Sequence, residues 1–369
     1  MEKNQKKLIF FMPSMEGGGV EKNLIIVSNY VAQYIKDVSL ITFDDNFNKY
    51  FNKKINIINV RTKTKSVHSK YYKYLCCLWL LFKELYLSKN ILVFTFQANI
   101  YGIILCYFFN VKVISRSNSS PSGWSNNFLK NYIFNFFIKK ASSIIVNSAE
   151  FKKEFQKKFS IKVKLIYNPL NKKEIIKKSK IVNKNFNPFF KNTNLRIINI
   201  ARLTYQKDHL TIIKALNLLV KKLKFKMLII GYGAQKKKLN REIANYKLNK
   251  YVKLIDNRHN PYPYLRDSNL FILSSKFEGL PNVILEAQTL KKYVISTNCP
   301  TGPKEILKNG KLGSLFNIGD YKKLALIILD YNKNKKKYQR SINNAFKNLD
   351  RFDYELNCRK YLAAIKKYL

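Results

Sequence analysis

Glu278 and Glu286 bracket the run Glu278-Gly279-Leu280-Pro281-Asn282-Val283-Ile284-Leu285-Glu286. Ionised carboxylates only accept hydrogen bonds, so two aimed at one place can grip hydroxyl groups. A second constellation lies upstream, with Arg202 and Lys207 in Asn199-Ile200-Ala201-Arg202-Leu203-Thr204-Tyr205-Gln206-Lys207-Asp208. Cations at the amino end of a helix do not help that helix. They make sense if an anion also lies there, held by helix N–H groups and neutralised by both side chains. Each residue alone also has a plain reading, as a loop carboxylate, a solvated helix glutamate, or a surface base in a lysine-rich chain.

The hydrophobic pattern supplies the elements that must position these groups. Asn269–Ser274 reads as a short buried strand, 275–279 as the turn at its carboxyl end, and Pro281 as the start of a helix. Arg196–Ile200 precedes Arg202 in the same way, and Asp208 is placed to cap the helix that follows. Strand-like runs recur at 7–12, 38–43, 55–60, 91–96, 111–115, 143–146, 226–230, 252–255 and 293–297. Helical spacing falls between many of them, at 23–34, 70–87, 208–222, 234–247, 281–290 and 320–332. That alternation predicts an α/β protein with two doubly wound domains. The expected division is a first domain over 1–170, a hinge-side helix and linker over 171–194 and a second domain over 195–350, with an amphipathic tail over 351–369. After the first strand, Gly17-Gly18-Gly19 lets a ligand approach the backbone closely. The spacing does not match G-x-G-x-x-G, which argues against a nicotinamide cofactor.

The 369 residues exceed one ordinary core and suit two domains. A formal charge of +47 points toward nucleic acid or an anionic membrane. However, the basic residues are 59 Lys and only 10 Arg, in a chain rich in Asn, Ile, Phe and Tyr. That is the composition of an A+T-rich genome, whereas guanine readout and paired phosphate contacts favour Arg. No specific nucleic-acid partner is expected, and attraction to an anionic leaflet stays open. The five cysteines contain no C-x-x-C pair, so neither a disulfide framework nor a metal site is expected. The apolar run Leu8–Met12 is too short for a signal peptide, and no stretch approaches the roughly 18–20 residues of a membrane span. A cytoplasmic protein follows, either free or resting on the inner face of the membrane. Asn127–Lys140 is aromatic and basic, and reads equally as a membrane-surface helix or as a core helix with a lysine fringe.

Ser274 to Ala287, the strand Tyr293–Thr297 and the loop Cys299–Leu307 together resemble the E-x7-E region of GT-B glycosyltransferases of the family 4 type. The resemblance covers nearly the whole chain and is strongest over 196–307. It implies two Rossmann-like domains facing across a cleft, with the tail crossing back onto the first. It also implies retaining, metal-independent transfer of a sugar from a nucleotide diphosphate, UDP by expectation. The acceptor would be a glycan or lipid-linked glycan of bacterial surface polysaccharide synthesis, and no cofactor beyond the nucleotide sugar is needed.

By this resemblance Arg202 and Lys207 hold the leaving diphosphate, Glu286 the ribose hydroxyls and Glu278 the donor sugar. Gly279, Leu280, Pro281 and Asn282 line the same donor site, and Gly18 and Gly19 lie beside donor phosphate and acceptor. Gly231 follows the family's second strand, as a plain turn or a ligand contact. Arg258 lies in the nucleobase loop, and the loop at Gly302–Glu305 borders the donor pocket unless Glu305 simply caps its helix. Many relatives carry a histidine in the loop where this chain has Ser115-Arg116-Ser117-Asn118, so Arg116 and Asn118 are the acceptor-side candidates in its place. Two other readings are a charge-driven binder of nucleic acid or anionic lipid, and a GT-B sugar-nucleotide epimerase.

Overall fold

The computed structural model describes residues 6–60, 69–118, 121, 127–181, 189–190, 193, 195–256 and 260–369. The chain forms two compact units, one of residues 1–169 with 354–369 and one of 170–353.

The first unit runs β1 (Lys7–Phe11), α1 (Gly19–Val31), β2 (Val38–Ile41), β3 (Ile55–Ile58), α2 (Lys70–Leu87), β4 (Ile91–Thr95), α3 (Asn99–Phe108), β5 (Lys112–Ser117), α4 (Phe128–Ile138), β6 (Ser143–Val146), α5 (Ala149–Phe159) and β7 (Val163–Leu165). Its seven strands are all parallel, in the order β3-β2-β1-β4-β5-β6-β7. A parallel sheet is covered on both faces, so its strands read as unbroken apolar runs such as Ile91-Leu92-Val93-Phe94-Thr95. Side chains alternate between the two cores. Leu8 and Phe10 pack with α1, while Ile9 and Phe11 pack with α2, α3 and α5.

The second unit runs α6 (Lys172–Ser179), β8 (Leu195–Ile200), α7 (His209–Asn217), β9 (Phe225–Ile230), α8 (Lys236–Asn245), β10 (Val252–Ile255), α9 (Tyr262–Asp267), β11 (Leu270–Leu273), α10 (Asn282–Thr289), β12 (Tyr293–Thr297), α11 (Pro303–Ile306), β13 (Ser314–Phe316), α12 (Tyr321–Lys333) and α13 (Lys335–Lys347). Its six strands are also parallel, in the order β10-β9-β8-β11-β12-β13. The final helix, α14 (Tyr354–Lys366), belongs to the first unit, where Tyr361 and Ile365 are fully buried in the α1-side core.

The hinge-side helix expected ahead of the linker is α6. Asn171 caps α6 by accepting from Glu174 N–H at 2.9 Å, and α6 packs on α9 and α10. Two strands escaped the sequence reading, β7 and β13, each only three residues long. Helix α13 escaped as well, because its lysine-rich sequence buries only Ile342 and Ala345.

Candidate active site

In the second sheet the strand order reverses between β8 and β11. Loops leaving the carboxyl ends of two such strands diverge to opposite faces, and ligands of open α/β sheets bind in the crevice between them. Arg202 and Lys207 lie in the loop after β8, and Glu278 lies in the loop after β11. Topology therefore brings the two constellations to one edge of one sheet.

They meet directly. Lys207 Nζ lies 2.5 Å from Glu278 Oε1, with the side chains only 14% and 7% exposed. Ser275 Oγ donates to the same carboxylate oxygen at 2.6 Å. Ser274 Oγ reaches the carbonyls of Lys207 and Asp208, each at 2.9 Å. The two loops are joined again by Lys276 N–H to Gln206 O and by Gln206 Nε2 to Phe277 O, both 2.8 Å. A third loop, after β12, braces the second: Thr301 Oγ1 donates to Glu278 O. Gly302, at φ +73°, packs so closely that a Cβ would stand 1.8 Å from Gly279 O, so only glycine fits there.

The remaining donor-side residues fall around this centre. Glu286 lies in α10 and is buried, not solvated as a surface helix residue would be. Leu280 and Pro281 are buried, Gly279 and Asn282 half-buried, and Arg202 exposed. Gly231 has a packing reason to be glycine, since a Cβ would stand 1.9 Å from Ala201 O. Asp208 holds the N-cap position of α7 but makes no side-chain bond to a helix N–H, and instead accepts from Thr211 Oγ1 at 2.7 Å. Arg258 lies outside the described residues.

In the first unit Gly18 is the N-cap residue of α1 and Gly19 its first residue. The buried Glu21 carboxylate accepts from Glu16 N–H at 3.1 Å and holds the glycine loop. The expectation for Arg116 needs correction. Its side chain is fully buried, with Nε donating to Tyr361 Oη at 2.8 Å, Nη2 to Asn168 Oδ1 at 2.6 Å and Nη1 to Asn118 Oδ1. Phe96 lies under the guanidinium, 5.2 Å from ring centroid to carbon. Asn118 is occupied as well, since its Nδ2 donates to Phe96 O at 2.8 Å. The Arg116 side chain thus holds the first unit together and is closed to an acceptor, whereas Asn118 is only half-buried.

Sequence reasoning missed the hydroxyl groups that fix the loops: Ser274, Ser275 and Thr301. Ser274 ends the strand and Ser275 opens the turn that carries Glu278, which was the available signal. Nothing in the sequence marked Thr301 Oγ1 as the partner of the Glu278 carbonyl.

His209, the first residue of α7, is buried, with Nε2 3.0 Å from Asn199 Oδ1. Burial first, and the nearby Lys207 charge second, lower its pKa from 6.5 to about 4. The folded chain therefore binds fewer protons than the unfolded chain between these values. Stability is complete above pH 6.5 and is lost as pH falls toward 4, by up to about 3 kcal/mol. Urea unfolding between pH 7 and pH 4 should show this slope, and His209→Gln should flatten it.

Residues 181–348 match the family described as "Glycosyl transferases group 1". An uncharacterised glycosyltransferase of Methanocaldococcus jannaschii is 39% identical over 180 residues, which is 47% of this chain and 44% of that one. A Campylobacter jejuni N-acetylgalactosamine-N,N'-diacetylbacillosaminyl-diphospho-undecaprenol 4-alpha-N-acetylgalactosaminyltransferase is 25% identical over 246 residues, 64% of each chain. The chain thus spans less than two thirds of the length of either relative. The crystal structure of Anabaena HepE with UDP-glucose superposes with a TM-score of 0.80 at 18% identity, covering 98% of this chain and 100% of that one. With the two parallel sheets, this likeness identifies the fold as GT-B.

Proposed function

We propose that the chain is a metal-independent retaining glycosyltransferase of the family 4 type, using a UDP-sugar and a lipid-linked glycan acceptor at the cytoplasmic face of a membrane. The observation that carries this reading is the meeting of Lys207 and Glu278 at the strand-order reversal, eight residues ahead of the buried Glu286. The UDP-glucose of the Anabaena neighbour and the undecaprenol-linked acceptor in the Campylobacter relative's name support the donor and acceptor classes.

Glu278 is paired with Lys207, the cation that the diphosphate needs. Donor binding moves Lys207 onto the diphosphate and frees Glu278 for sugar hydroxyls, and Arg202 adds the second positive charge. Glu286 accepts from the ribose hydroxyls, and the backbone of Gly279–Asn282 lines the donor. Gly231 and Arg258 belong to the nucleotide side. Gly18 and Gly19, beside the Glu21 carboxylate, suit hydroxyl groups better than phosphate. In the transfer, the bond from the anomeric carbon to the phosphate oxygen breaks and the acceptor oxygen bonds to the same face. The acceptor proton passes to the departing phosphate. Lys207 and Arg202 stabilise the charge that develops there, so no metal is required.

A panel of UDP-sugars assayed in EDTA tests the reading: one sugar should give UDP release that rises on adding a lipid-linked acceptor. Strict dependence on added metal, or no release from any sugar, would sink it. Glu286→Gln should weaken UDP binding by about tenfold, roughly the value of one charged hydrogen bond, and unchanged affinity would remove the ribose role.

A further inference from the structure

The outer surface of α2, α3 and α4 in the first unit is strongly apolar. Leu75, Leu78, Trp79, Phe82, Ile104 and Leu105 are among the residues lining a groove of about 370 Å³ between α2 and α3. Trp79 is 56% exposed, Phe108 72% and Tyr132 67%. Ring contacts make the face continuous: Phe82 meets Phe109 at 5.4 Å between centroids, and Tyr107 meets Phe137 at 5.8 Å. A water-facing patch of this kind marks an interaction site.

Basic residues outnumber acidic ones on these three helices. Helices α3 and α4 contain no acidic residue. The single acid of α2, Glu84, is paired with Lys7 at 2.7 Å. Lysines instead sit against the aromatic faces. Lys83 Nζ lies 5.3 Å from the Trp79 ring, and Lys140 Nζ lies 4.8 Å from Phe136 and 5.3 Å from Tyr107. The cores of protein–protein interfaces are depleted in lysine. Exposed aromatics fringed by lysine are the composition of helices lying in a bilayer interface. Among the described residues no helix is long and apolar enough to cross a membrane, so attachment through these helices would be at the surface.

We infer that the α2–α3–α4 face docks on an anionic lipid bilayer, with Trp79 and its neighbours entering the acyl boundary while Lys83 and Lys140 meet lipid phosphates. Each such lysine contributes roughly 1 kcal/mol to attraction near an anionic leaflet. The surface extends the proposed lipid-linked acceptor but does not require it, since binding is measured without substrate.

Full-length protein is sedimented with phosphatidylcholine vesicles, with and without phosphatidylglycerol. Binding should require phosphatidylglycerol and weaken in high salt. In a Trp124→Phe background Trp79 is the only tryptophan of the two in the chain, and its emission should shift to the blue on the anionic vesicles. Leu75→Glu with Trp79→Glu should lower vesicle binding by about tenfold or more with the unfolding midpoint unchanged. Should that variant fail to fold, Lys83→Glu with Lys140→Glu decides, and should lower binding to anionic vesicles by a similar factor. Wild-type binding by the charge variant, an unshifted Trp79 emission, or lipid-free dimerisation abolished by Leu75→Glu would overturn the inference. Vesicle binding without UDP release from any UDP-sugar would instead count against the transferase reading alone.

Discussion

Lys207→Ala should lower sugar transfer by about 100- to 1000-fold, the cost of removing one preorganised group from a developing anion. The unfolding midpoint should fall but the chain should stay folded, because the Glu278 carboxylate, only 7% exposed, loses its cation while the apolar core is untouched. Arg202→Ala should act in the same direction. The informative contrast is Glu278→Gln. This change removes the carboxylate that holds Lys207 while keeping an acceptor for Ser275 Oγ, 2.6 Å away in the wild type. Lys207 is then no longer held by a competing anion. UDP should bind more tightly than to the wild type, although transfer falls because the donor sugar loses its carboxylate. A mutation that strengthens nucleotide binding and weakens turnover separates charge exchange from simple loss of a binding group. Direct titration of UDP alongside the rate measurement checks it, and weaker UDP binding by Glu278→Gln would show that the pair is not exchanged.

Arg116→Ala should destabilise the first unit by about 3–5 kcal/mol, from the loss of several charge-assisted hydrogen bonds and the opening of a cavity at a fully buried site. The guanidinium joins the end of β5 to Asn168 and to Tyr361 of α14, which lies 245 residues further along the chain. Its removal therefore unfastens α14 from the sheet it covers. Tyr361→Phe should cost less, about 1–3 kcal/mol, by leaving Nε of the guanidinium unsatisfied. Urea unfolding of the intact chain measures both. Losses below about 1 kcal/mol for Arg116→Ala would return this residue to the acceptor side, where a weakly coupled side chain belongs.

The two constellations were legible because strands buried on both faces announce themselves as apolar runs, and the residues after such runs lie at ligand-binding edges. Glu278, Glu286, Arg202 and Lys207 could be placed on their loops and helix from that pattern alone. The contact between Lys207 and Glu278 was not legible. The two residues are 71 positions apart, and only the adjacency of β8 and β11 brings them together. Arg116 misled for a related reason. A polar run at the end of a strand looks like a ligand loop, and nothing nearby shows that a helix from the far end of the chain covers it. The three-residue strands β7 and β13 are too short to carry a period.

The central claim, that Arg202 and Lys207 form a diphosphate site, is tested most directly by calorimetric titration of UDP in EDTA into wild type, Lys207→Ala and Glu278→Gln. The expected result is saturable one-to-one binding, weakened by about tenfold or more in Lys207→Ala and strengthened in Glu278→Gln. Absence of saturable binding to the wild type, or equal affinity in wild type and Lys207→Ala, would contradict it.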